Sequence, residues 1–239
     1  MRSGRGGEMA GRIVLINPAR HFIANAHGLG YLIPLGLVAI GGPLNDAGFT
    51  VRLIDHDLYG WSHRRLIQEI SDFKADYLLL GHSGSTAAHK IVIKTIKAIH
   101  EKLPHIRVVY GGVYPSYADR VVMAECEEID VIVRGEGEQT IVGLIRTWEQ
   151  TNDLSYVDGI TWRNGQEVIV NRSRTPIKTS TSTVLVGSLW IGRVTPCSGS
   201  ATPPDCNSAA AVRSPAPTAG NGCSGKSGGI ATRRMYWSN

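Results

Sequence analysis

The sequence predicts an α/β fold: a doubly wound, flavodoxin-like sheet of five parallel strands. Up to about residue 176, short apolar runs rich in Val, Ile and Leu alternate with amphipathic stretches. This is the pattern of a parallel sheet covered by helices on both faces. The segments that follow the apolar runs are rich in glycine and small polar residues, as loops are. Right-handed crossovers between successive strands then give the doubly wound order.

The first two elements are a strand and a helix. The apolar run 12–16 is followed by Asn17-Pro18, which predicts a strand that ends in a turn. Residues 31–47 have the helical spacing of apolar side chains, and Gly48 follows where a C-terminal cap glycine belongs. One strand–helix unit is therefore predicted before residue 50.

Four more strand–helix units repeat this pattern. Each strand is a short run of β-branched and aliphatic residues, and each helix has apolar side chains three and four positions apart. The strands are predicted at 50–54, 76–80, 106–110 and 129–133, and the helices at 62–74, 88–102, 118–124 and 139–148. A small hairpin follows, because the runs 159–162 and 167–170 flank Asn164-Gly165, a strong two-residue turn signal.

The composition changes sharply between Pro176 and Thr179. Of the 63 residues from 177 to 239, 37 are Ser, Thr, Gly, Ala or Pro, and only six are basic and one acidic. Such a segment buries too little apolar surface to offset the entropy lost on ordering. We therefore expect a disordered leader at 1–10, an α/β domain at 11–150, a hairpin and linker at 151–177, and a disordered tail at 178–239.

Charge and cysteine usage exclude several classes of protein. The net charge of +5 lies in the tail, because residues 1–176 carry 19 basic and 19 acidic side chains, so nucleic-acid binding is not expected. No apolar run reaches the ~20 residues that span a bilayer, and the Gly- and Arg-rich start lacks the apolar segment of a signal peptide. Cys126 is the one cysteine before the tail, which fits a reducing cytoplasm.

In a doubly wound sheet, ligands bind beyond the carboxyl ends of the strands. The loops predicted there are rich in glycine and small polar residues, which let a large flat or phosphate-bearing ligand approach the backbone. They comprise residues 17–20, 55–57, 81–86, 111–115 and 135–138. No Gly-x-Gly-x-x-Gly follows the first strand, and Gly-Lys-Ser at 225–227 lies in the tail without a preceding strand. The sequence therefore predicts a ligand cleft without a nucleotide fingerprint.

Few side chains near these loops have the features of a catalytic group. Cys126 lies among three glutamates, whose negative charge disfavours a thiolate. His82 and His89 flank the 81–86 loop, and each is expected to be a polar loop or helix residue rather than a base. No Ser-His-Asp set or pair of carboxylates is legible. We therefore expect no catalytic residue and no metal ligand in this domain.

Five segments at the predicted loops resemble one known family. They are Ile16-Asn17-Pro18, Ile54-Asp55, His82-Ser83-Gly84-Ser85-Thr86, Tyr110-Gly111-Gly112-Val113-Tyr114-Pro115 and Val133-Arg134-Gly135-Glu136-Gly137-Glu138. Over about residues 11–176 the chain is similar to the amino-terminal cobalamin-binding domain of class B radical SAM enzymes, and most of all to the anaerobic magnesium-protoporphyrin IX monomethyl ester oxidative cyclases. The resemblance implies a parent activity that closes the fifth ring of the tetrapyrrole in bacteriochlorophyll biosynthesis.

The resemblance also implies which residues hold the corrin. In the family the corrin lies over the strand ends, which assigns cofactor-binding roles to Asn17, Ser83, Ser85, Thr86, Gly111, Gly112, Gly135 and Glu136. Many cobalamin domains supply a lower axial histidine from Asp-x-His-x-x-Gly after the first strand. Here the segment 55–60 follows the second strand and has Asp57 in the place of that histidine. We expect no histidine ligand from this segment, and a solvated loop position for His56.

Three other functions stay open. The cobalamin domain of a radical SAM methyltransferase would have the same sheet and loops. A flavodoxin-like, flavin-binding module also uses this kind of sheet. A receiver-like signalling module needs an acidic pair after strand one, an Asp after strand three and a Lys after strand five. It is disfavoured, because those places hold Asn17, His82-Ser83 and Arg134-Gly135.

The tail lacks a motif that the parent family implies. There, a barrel follows whose Cys-x3-Cys-x2-Cys thiolates bind a [4Fe–4S] cluster, with one iron left for S-adenosylmethionine. The cysteines of the tail, Cys197, Cys206 and Cys223, are 9 and 17 residues apart. In another reading frame, the codons for 212–233 are compatible with cysteines at the family spacing. We therefore expect a frameshifted or truncated product that binds cobalamin as a module and is inactive alone; the alternative is a genuine disordered, low-complexity tail.

Overall fold

The computed structural model describes residues 11–19, 34–82 and 86–175 of the protein. Its strands are β1 (Arg12–Asn17), β2 (Thr50–Asp55), β3 (Tyr77–His82), β4 (Arg107–Gly112), β5 (Val131–Val133), β6 (Ile160–Asn164) and β7 (Glu167–Val170). Its helices are α1 (Leu35–Asp46), α2 (His56–Tyr59), α3 (His63–Phe73), α4 (Thr86–Lys102), α5 (Val113–Tyr117), α6 (Asp119–Glu125) and α7 (Gly137–Gln150).

All of these strands form one sheet, in the order β2-β1-β3-β4-β5-β6-β7. The first five run parallel, which confirms the predicted doubly wound, flavodoxin-like arrangement. β6 and β7 then extend the sheet in antiparallel fashion, with Val133 opposite Ile160 and Thr161 opposite Val170. The predicted hairpin is therefore part of the same sheet, which is mixed and two strands wider than the parallel part alone.

The two faces of the sheet bury two separate apolar clusters. Alternate residues of β1 point to opposite faces, since Val14 and Ile16 belong to one cluster while Ile13 and Leu15 belong to the other. The first cluster packs under α3, α4 and α6, and the second packs under α1 and α7. Helices therefore cover both faces, and the two ends of the strands are the places where a ligand can reach the sheet.

The amino ends of the parallel strands are joined by hydrogen bonds from side chains. Asp76 accepts a 2.7 Å bond from the backbone N–H of Arg12, and Asp130 accepts a 2.7 Å bond from the N–H of Val108. The guanidinium of Arg107 donates to the carbonyl of Trp148 at the end of α7, at 3.0 Å. These bonds satisfy the first backbone groups of the strands and fix helix α7 to the same edge.

Two short helices replace segments that the sequence predicts as loops. In α2 the side chain of Asp55 caps the N-terminus by accepting from the N–H of Leu58, and Gly60 ends the helix at φ 59°. The other is α5, which follows β4 directly. Both lie at the carboxyl end of a strand, so they shape the edge where the ligand is expected.

Several predictions concern residues outside the described ranges. They are the leader at 1–10, the tail at 178–239, most of the loop after β1, and residues 83–85 after β3. Within residues 11–19, 34–82 and 86–175, no helix is both long and apolar enough to cross a membrane.

Candidate functional site at the carboxyl edge of the sheet

The carboxyl ends of β3 and β4 are built from glycine backbone. Gly81 lies opposite Gly111, and His82 lies opposite Gly112. At Gly112 φ is 112°, and a Cβ there would lie 2.8 Å from the backbone oxygen of His82. Only glycine fits such a position without strain. The backbones of β3 and β4 therefore approach each other closely at this edge, with the His82 peptide in the place that a side chain at position 112 would take.

A serine joins the ends of β4 and β5. The hydroxyl of Ser116, in α5, donates to the carbonyl of Gly112 at 2.7 Å and accepts from the N–H of Gly135 at 2.9 Å. Gly135 has φ 73°, and no atom lies within 4 Å of the position its Cβ would take. The Ser116 bridge therefore brings two predicted cofactor-binding glycines, Gly112 and Gly135, to one site, with open space above Gly135.

The Ser116 bridge forms one wall of a cleft of about 470 Å³. Two guanidinium groups line it. That of Arg134 donates to the carbonyls of Ile160 and Asn171, and that of Arg174 donates to Gln139 at 2.8 Å, in the first turn of α7. The lining consists of Gly112, Val113, Ser116, Tyr117, Arg134, Gly135, Gly159, Ser173 and Arg174. The cleft thus combines backbone, hydroxyl and guanidinium groups with apolar surface, including the side chain of Val113.

Exposed apolar side chains stand beside this polar edge. Val113 and Tyr117 of α5 are 53% and 88% exposed, and Leu35 at the start of α1 is 69% exposed. Leu35 lies at the same edge, because the side chain of Leu37 is 3.3 Å from the position of a Cβ on Gly81. Apolar surface next to the polar groups of the cleft suits a ligand that is itself both apolar and amide-rich.

The ends of β1 and β2 are built differently, from buried side chains. The amide of Asn17 donates to Asp55 at 2.8 Å, and the same carboxylate oxygen caps α2. Asn17 is therefore at the predicted edge, but it lies at β1 rather than in the cleft beside β4 and β5.

The prediction of a solvated His56 was wrong. His56 is 2% exposed, and its Nε2 lies 2.6 Å from the carbonyl oxygen of Trp61. The reason is α2: the cap at Asp55 and the left-handed Gly60 fold the segment into a helical turn that directs His56 inward. The cap residue followed by a glycine five positions later was a signal that the sequence offered.

A chain of buried polar side chains starts at the end of β3. The Nε2 atom of His82 lies 2.9 Å from the hydroxyl of Tyr110, and the Nδ1 atom of His89 lies 3.3 Å from the same hydroxyl. The Nε2 atom of His89 lies 3.0 Å from a carboxylate oxygen of Glu125. His82 ends a strand and His89 lies in α4, so the two histidines that flank the predicted loop share one partner. Tyr110 could not be assigned a role of its own from the sequence, because a strand position carries no signal of a polar partner.

Cys126 is buried directly after α6. Burial, followed by its hydrogen bond to Glu128, raises the pKa of the Cys126 thiol to about 12. The thiol is therefore protonated at neutral pH. Among the residues that the structure describes, no group of three or more His, Cys, Asp or Glu side chains is arranged to hold a metal ion.

The remaining predicted site residues have these positions. Gly111 is the next-to-last residue of β4, and Glu136 is the N-cap residue of α7, so both lie at the carboxyl edge. Thr86 begins α4, at the same edge. Ser83 and Ser85 lie outside the described residues. The cleft thus contains Gly112 and Gly135 and adds Ser116, Arg134 and Arg174, of which only Arg134 belonged to a segment singled out from the sequence.

Comparison with known proteins identifies the family. The B12 binding domain profile matches residues 23–145, which is half of the chain and includes the carboxyl ends of β2, β3, β4 and β5. The chain belongs to the B12-binding domain family. The cofactor that the sequence predicts, cobalamin, is the one for which this family is named.

Two curated relatives are anaerobic magnesium-protoporphyrin IX monomethyl ester cyclases. The protein from Synechocystis sp. is 41% identical over 158 residues, which cover 66% of this chain and 32% of the relative. The protein from Cereibacter sphaeroides is 30% identical over 162 residues, which cover 66% of this chain and 26% of the relative. The matching part of the chain thus spans about a third or less of the length of these relatives.

Among solved structures, the cobalamin-dependent S-adenosylmethionine radical enzyme OxsB, with aqua-cobalamin and S-adenosylmethionine bound, has the same fold. The TM-score is 0.58 at 21% identity, and the match covers 70% of this chain and 23% of that one. The similarity confirms that the α/β fold of this B12-binding domain also occurs as part of a much larger chain.

The carboxyl edge of this B12-binding domain fits a corrin. A corrin is a broad, flat macrocycle with an apolar face and amide groups around its rim. The open space above Gly135 allows a flat ring to approach the strand ends. The hydroxyl and guanidinium groups of the cleft, and the exposed side chains of Val113 and Tyr117, match the rim and the face respectively.

Proposed function

We propose that residues 11–175 bind a cobalamin over the carboxyl ends of β1, β3, β4 and β5, as the cobalamin-binding part of an anaerobic magnesium-protoporphyrin IX monomethyl ester cyclase. The observation that carries the proposal is the match to the B12 binding domain over residues 23–145, which contain Gly111, Gly112 and Gly135 of the carboxyl edge. Bound cobalamin supplies a redox-active cobalt ion; the chain supplies the surface that binds and orients it.

The proposed contacts with the corrin involve residues at the carboxyl edge of the sheet. Backbone groups of Gly111, Gly112 and Gly135 lie against the corrin, and a side chain at Gly135, which faces open space, would separate ring and strand. Asn17, Thr86 and Glu136 contact the corrin around its rim, together with Ser83 and Ser85. Their support is position, since Asn17, Thr86 and Glu136 all lie at the carboxyl ends of parallel strands or at the first residues of the helices that follow.

The test is reconstitution of the purified protein with hydroxocobalamin. After gel filtration, the protein fraction should keep the corrin absorption band in near-stoichiometric amount. A folded protein that elutes without colour would contradict cobalamin binding. A yellow protein with a flavin spectrum after purification would instead support the flavodoxin-like alternative.

Two glycine variants locate the site on the molecule. Gly135 and Gly165 both have positive φ, 73° and 60°, with no atom within 4 Å of the place a Cβ would occupy, but Gly165 lies in the β6–β7 turn at the opposite edge of the sheet. Gly135→Leu should weaken hydroxocobalamin binding tenfold or more, whereas Gly165→Leu should bind as the wild type does. Both carry a similar backbone strain of roughly 1–2 kcal/mol, so equal losses of affinity would contradict the proposed position.

The cyclase assignment is tested by exchanging domains. Residues 11–175 should restore activity when they replace the matching segment of the Synechocystis cyclase, because the two segments are 41% identical. The same replacement in a cobalamin-dependent methylase should restore less activity. The reverse result would favour the methyltransferase alternative. We also propose a cytoplasmic location, since the one described cysteine is a free thiol.

A further inference from the structure

The side chains of His82, Tyr110, His89 and Glu125, here called the His–Tyr–His–Glu chain, link the carboxyl edge to the surface. The three inner side chains are buried, at 6%, 0% and 4% exposure, whereas the side chain of Glu125 is 46% exposed. His82 is the last residue of β3 and lies opposite Gly112, beside the proposed corrin surface. One end of the chain is therefore at the ligand edge and the other end is in water.

The hydrogen bonds of the chain have one consistent direction when Glu125 is ionised. A carboxylate only accepts, so the Nε2 of His89 carries a proton, and its Nδ1 in the neutral ring is an acceptor. Tyr110 must then donate its single proton to His89, and its oxygen accepts from the Nε2–H of His82. The Nδ1 of His82 is thereby left as an acceptor, whichever donor faces it.

We propose that the His–Tyr–His–Glu chain is a proton relay, in which His82 accepts a proton at Nδ1 at the carboxyl edge and the positive charge is placed on His89 beside Glu125. Its use for the cofactor rests on the proposed function, but the relay itself does not. The proton donor at the edge is a water or hydroxyl group. When that O–H bond breaks, its proton forms the Nδ1–H bond of His82, and its electron pair stays on the oxygen, which is left at the edge as hydroxide or alkoxide.

The proton transfer takes place in three steps along the His–Tyr–His–Glu chain. As His82 gains a proton at Nδ1, it releases the proton on Nε2 to the oxygen of Tyr110. Tyr110 in turn releases its own proton to Nδ1 of His89. His82 and Tyr110 end neutral, and His89 becomes an imidazolium whose Nε2–H still faces the Glu125 carboxylate at 3.0 Å. The charge is therefore stored in an ion pair near water instead of at the ligand edge.

The surroundings of His89 fit this role. The Tyr114 ring from α5 packs against the imidazole with centroids 4.6 Å apart, and the Tyr110 ring from β4 stacks on it at 5.9 Å. Glu125 from α6 is its acidic neighbour, and the ammonium of Lys97 donates to the Glu125 carbonyl oxygen rather than to the imidazole. Burial, followed by the charges of Tyr114 and Glu125, raises the pKa of Tyr110, so this residue acts as a hydroxyl and not as a phenolate.

The test is nitrogen NMR of the histidine rings in the full-length protein without cofactor. Long-range proton–nitrogen correlation distinguishes the two tautomers and the imidazolium, and His82→Gln and His89→Gln assign the signals. As the pH falls, His89 should become an imidazolium while His82 stays neutral and switches from Nε2–H to Nδ1–H at the same pH. A His82 ring that keeps Nε2–H when His89 gains its charge would overturn the proposal.

Two pairs of variants separate the relay from packing. Tyr110→Phe should abolish the tautomer switch of His82, whereas Tyr114→Phe, which removes a neighbouring hydroxyl outside the chain, should preserve it. Glu125→Gln should move the switch to lower pH, whereas Glu127→Gln, at an exposed position on the same surface, should not. A switch that survives Tyr110→Phe, or that responds equally to both glutamine variants, contradicts the relay. Glu125→Gln also keeps the test decisive if Tyr110→Phe fails to fold.

This experiment is independent of cobalamin binding. If hydroxocobalamin fails to bind but the coupled switch is present, the proposed function is wrong and the relay stands. If the cofactor binds but His82 does not switch, the relay alone is wrong.

Discussion

The amino and carboxyl edges of the parallel sheet are stabilised by different kinds of groups. At the amino edge, charged side chains satisfy the strand ends: Asp76 bonds to the N–H of Arg12, Asp130 to that of Val108, and Arg107 to the end of α7. At the carboxyl edge beside β4 and β5, the equivalent positions hold glycines, and a single serine bridges the backbone. The amino edge is thus held by charged side chains, whereas the carboxyl edge at β4 and β5 is held by glycine backbone and one hydroxyl group.

This difference separates stability from binding. Side-chain bonds to buried backbone groups contribute to the free energy of unfolding, because leaving such a group unpaired is costly. Glycines contribute little packing, but they let a ligand reach the peptide groups. Substitutions at the amino edge should therefore change stability and leave cofactor affinity unchanged, and substitutions at the carboxyl edge should change affinity.

The largest effect is expected for Gly112→Ala. The new Cβ would lie 2.8 Å from the His82 carbonyl oxygen at φ 112°, and backbone strain of this kind costs about 1–3 kcal/mol before the clash is counted. Gly112→Ala should lower the denaturation midpoint and reduce hydroxocobalamin affinity more than tenfold. The control is Gly143→Ala, at an open helical position, which should stabilise the protein by up to ~1 kcal/mol. Wild-type affinity in Gly112→Ala would refute the role of Gly112 in the site.

A smaller effect, on stability alone, is expected for Asp130→Ala at the amino edge. The N–H of Val108 loses its acceptor, which should cost about 1–3 kcal/mol in urea unfolding. The folded fraction should bind hydroxocobalamin as tightly as the wild type does. A tenfold loss of affinity in this variant would show that the edges are not independent.

Asp130→Asn adds a pH dependence to the same comparison. Burial raises the pKa of Asp130, so the folded state holds a proton on this carboxyl more tightly than the unfolded state. The raised pKa therefore favours folding increasingly as the pH falls through the folded-state pKa, and the gain is complete below the unfolded value of about 3.9. An asparagine has no such gain. The free energy of unfolding of the wild type, relative to that of Asp130→Asn, should thus increase as the pH is lowered from 7 to 4.

The smallest effect is expected for Ser116→Ala, which removes the bridge between β4 and β5. Loss of its two hydrogen bonds should destabilise the protein by about 1 kcal/mol and loosen Gly135 relative to Gly112. Hydroxocobalamin affinity should fall several-fold, less than in Gly112→Ala. Ser155→Ala, at an exposed position between α7 and β6, serves as the control. Equal affinity in both serine variants would remove Ser116 from the site.

Local pattern was sufficient to predict the parallel strands, their order and the helices that cover them. Local pattern did not predict features of the sheet that depend on pairing between segments far apart in the sequence. Gly81-His82 and Gly111-Gly112 were predicted as loops, because glycine is a poor strand former, yet they pair with each other and lengthen β3 and β4. The hairpin was predicted, but its attachment to β5 depends on contacts that no local pattern encodes.

The candidate site, like the fold, was predicted only in part from the sequence. The glycines of the edge stand in recognisable segments, so Gly112 and Gly135 were identified from the sequence. Ser116 and Arg174 were not, because their roles depend on the hydrogen bonds that α5 and the segment after β7 make in space. The His–Tyr–His–Glu chain joins residues 21 to 36 positions apart, a spacing that matches no motif.

The antiparallel hairpin determines where the polypeptide leaves the domain. A sheet that ended at the parallel strand β5 would send the chain away from the cleft through α7, toward the amino edge. Strand β7 instead runs from the amino edge back to the carboxyl edge. Residues 171–175 therefore lie near the cleft, and Arg174 lines its wall. Whatever is joined after this point starts within a few residues of the cleft, so its local concentration there is high without any binding surface of its own.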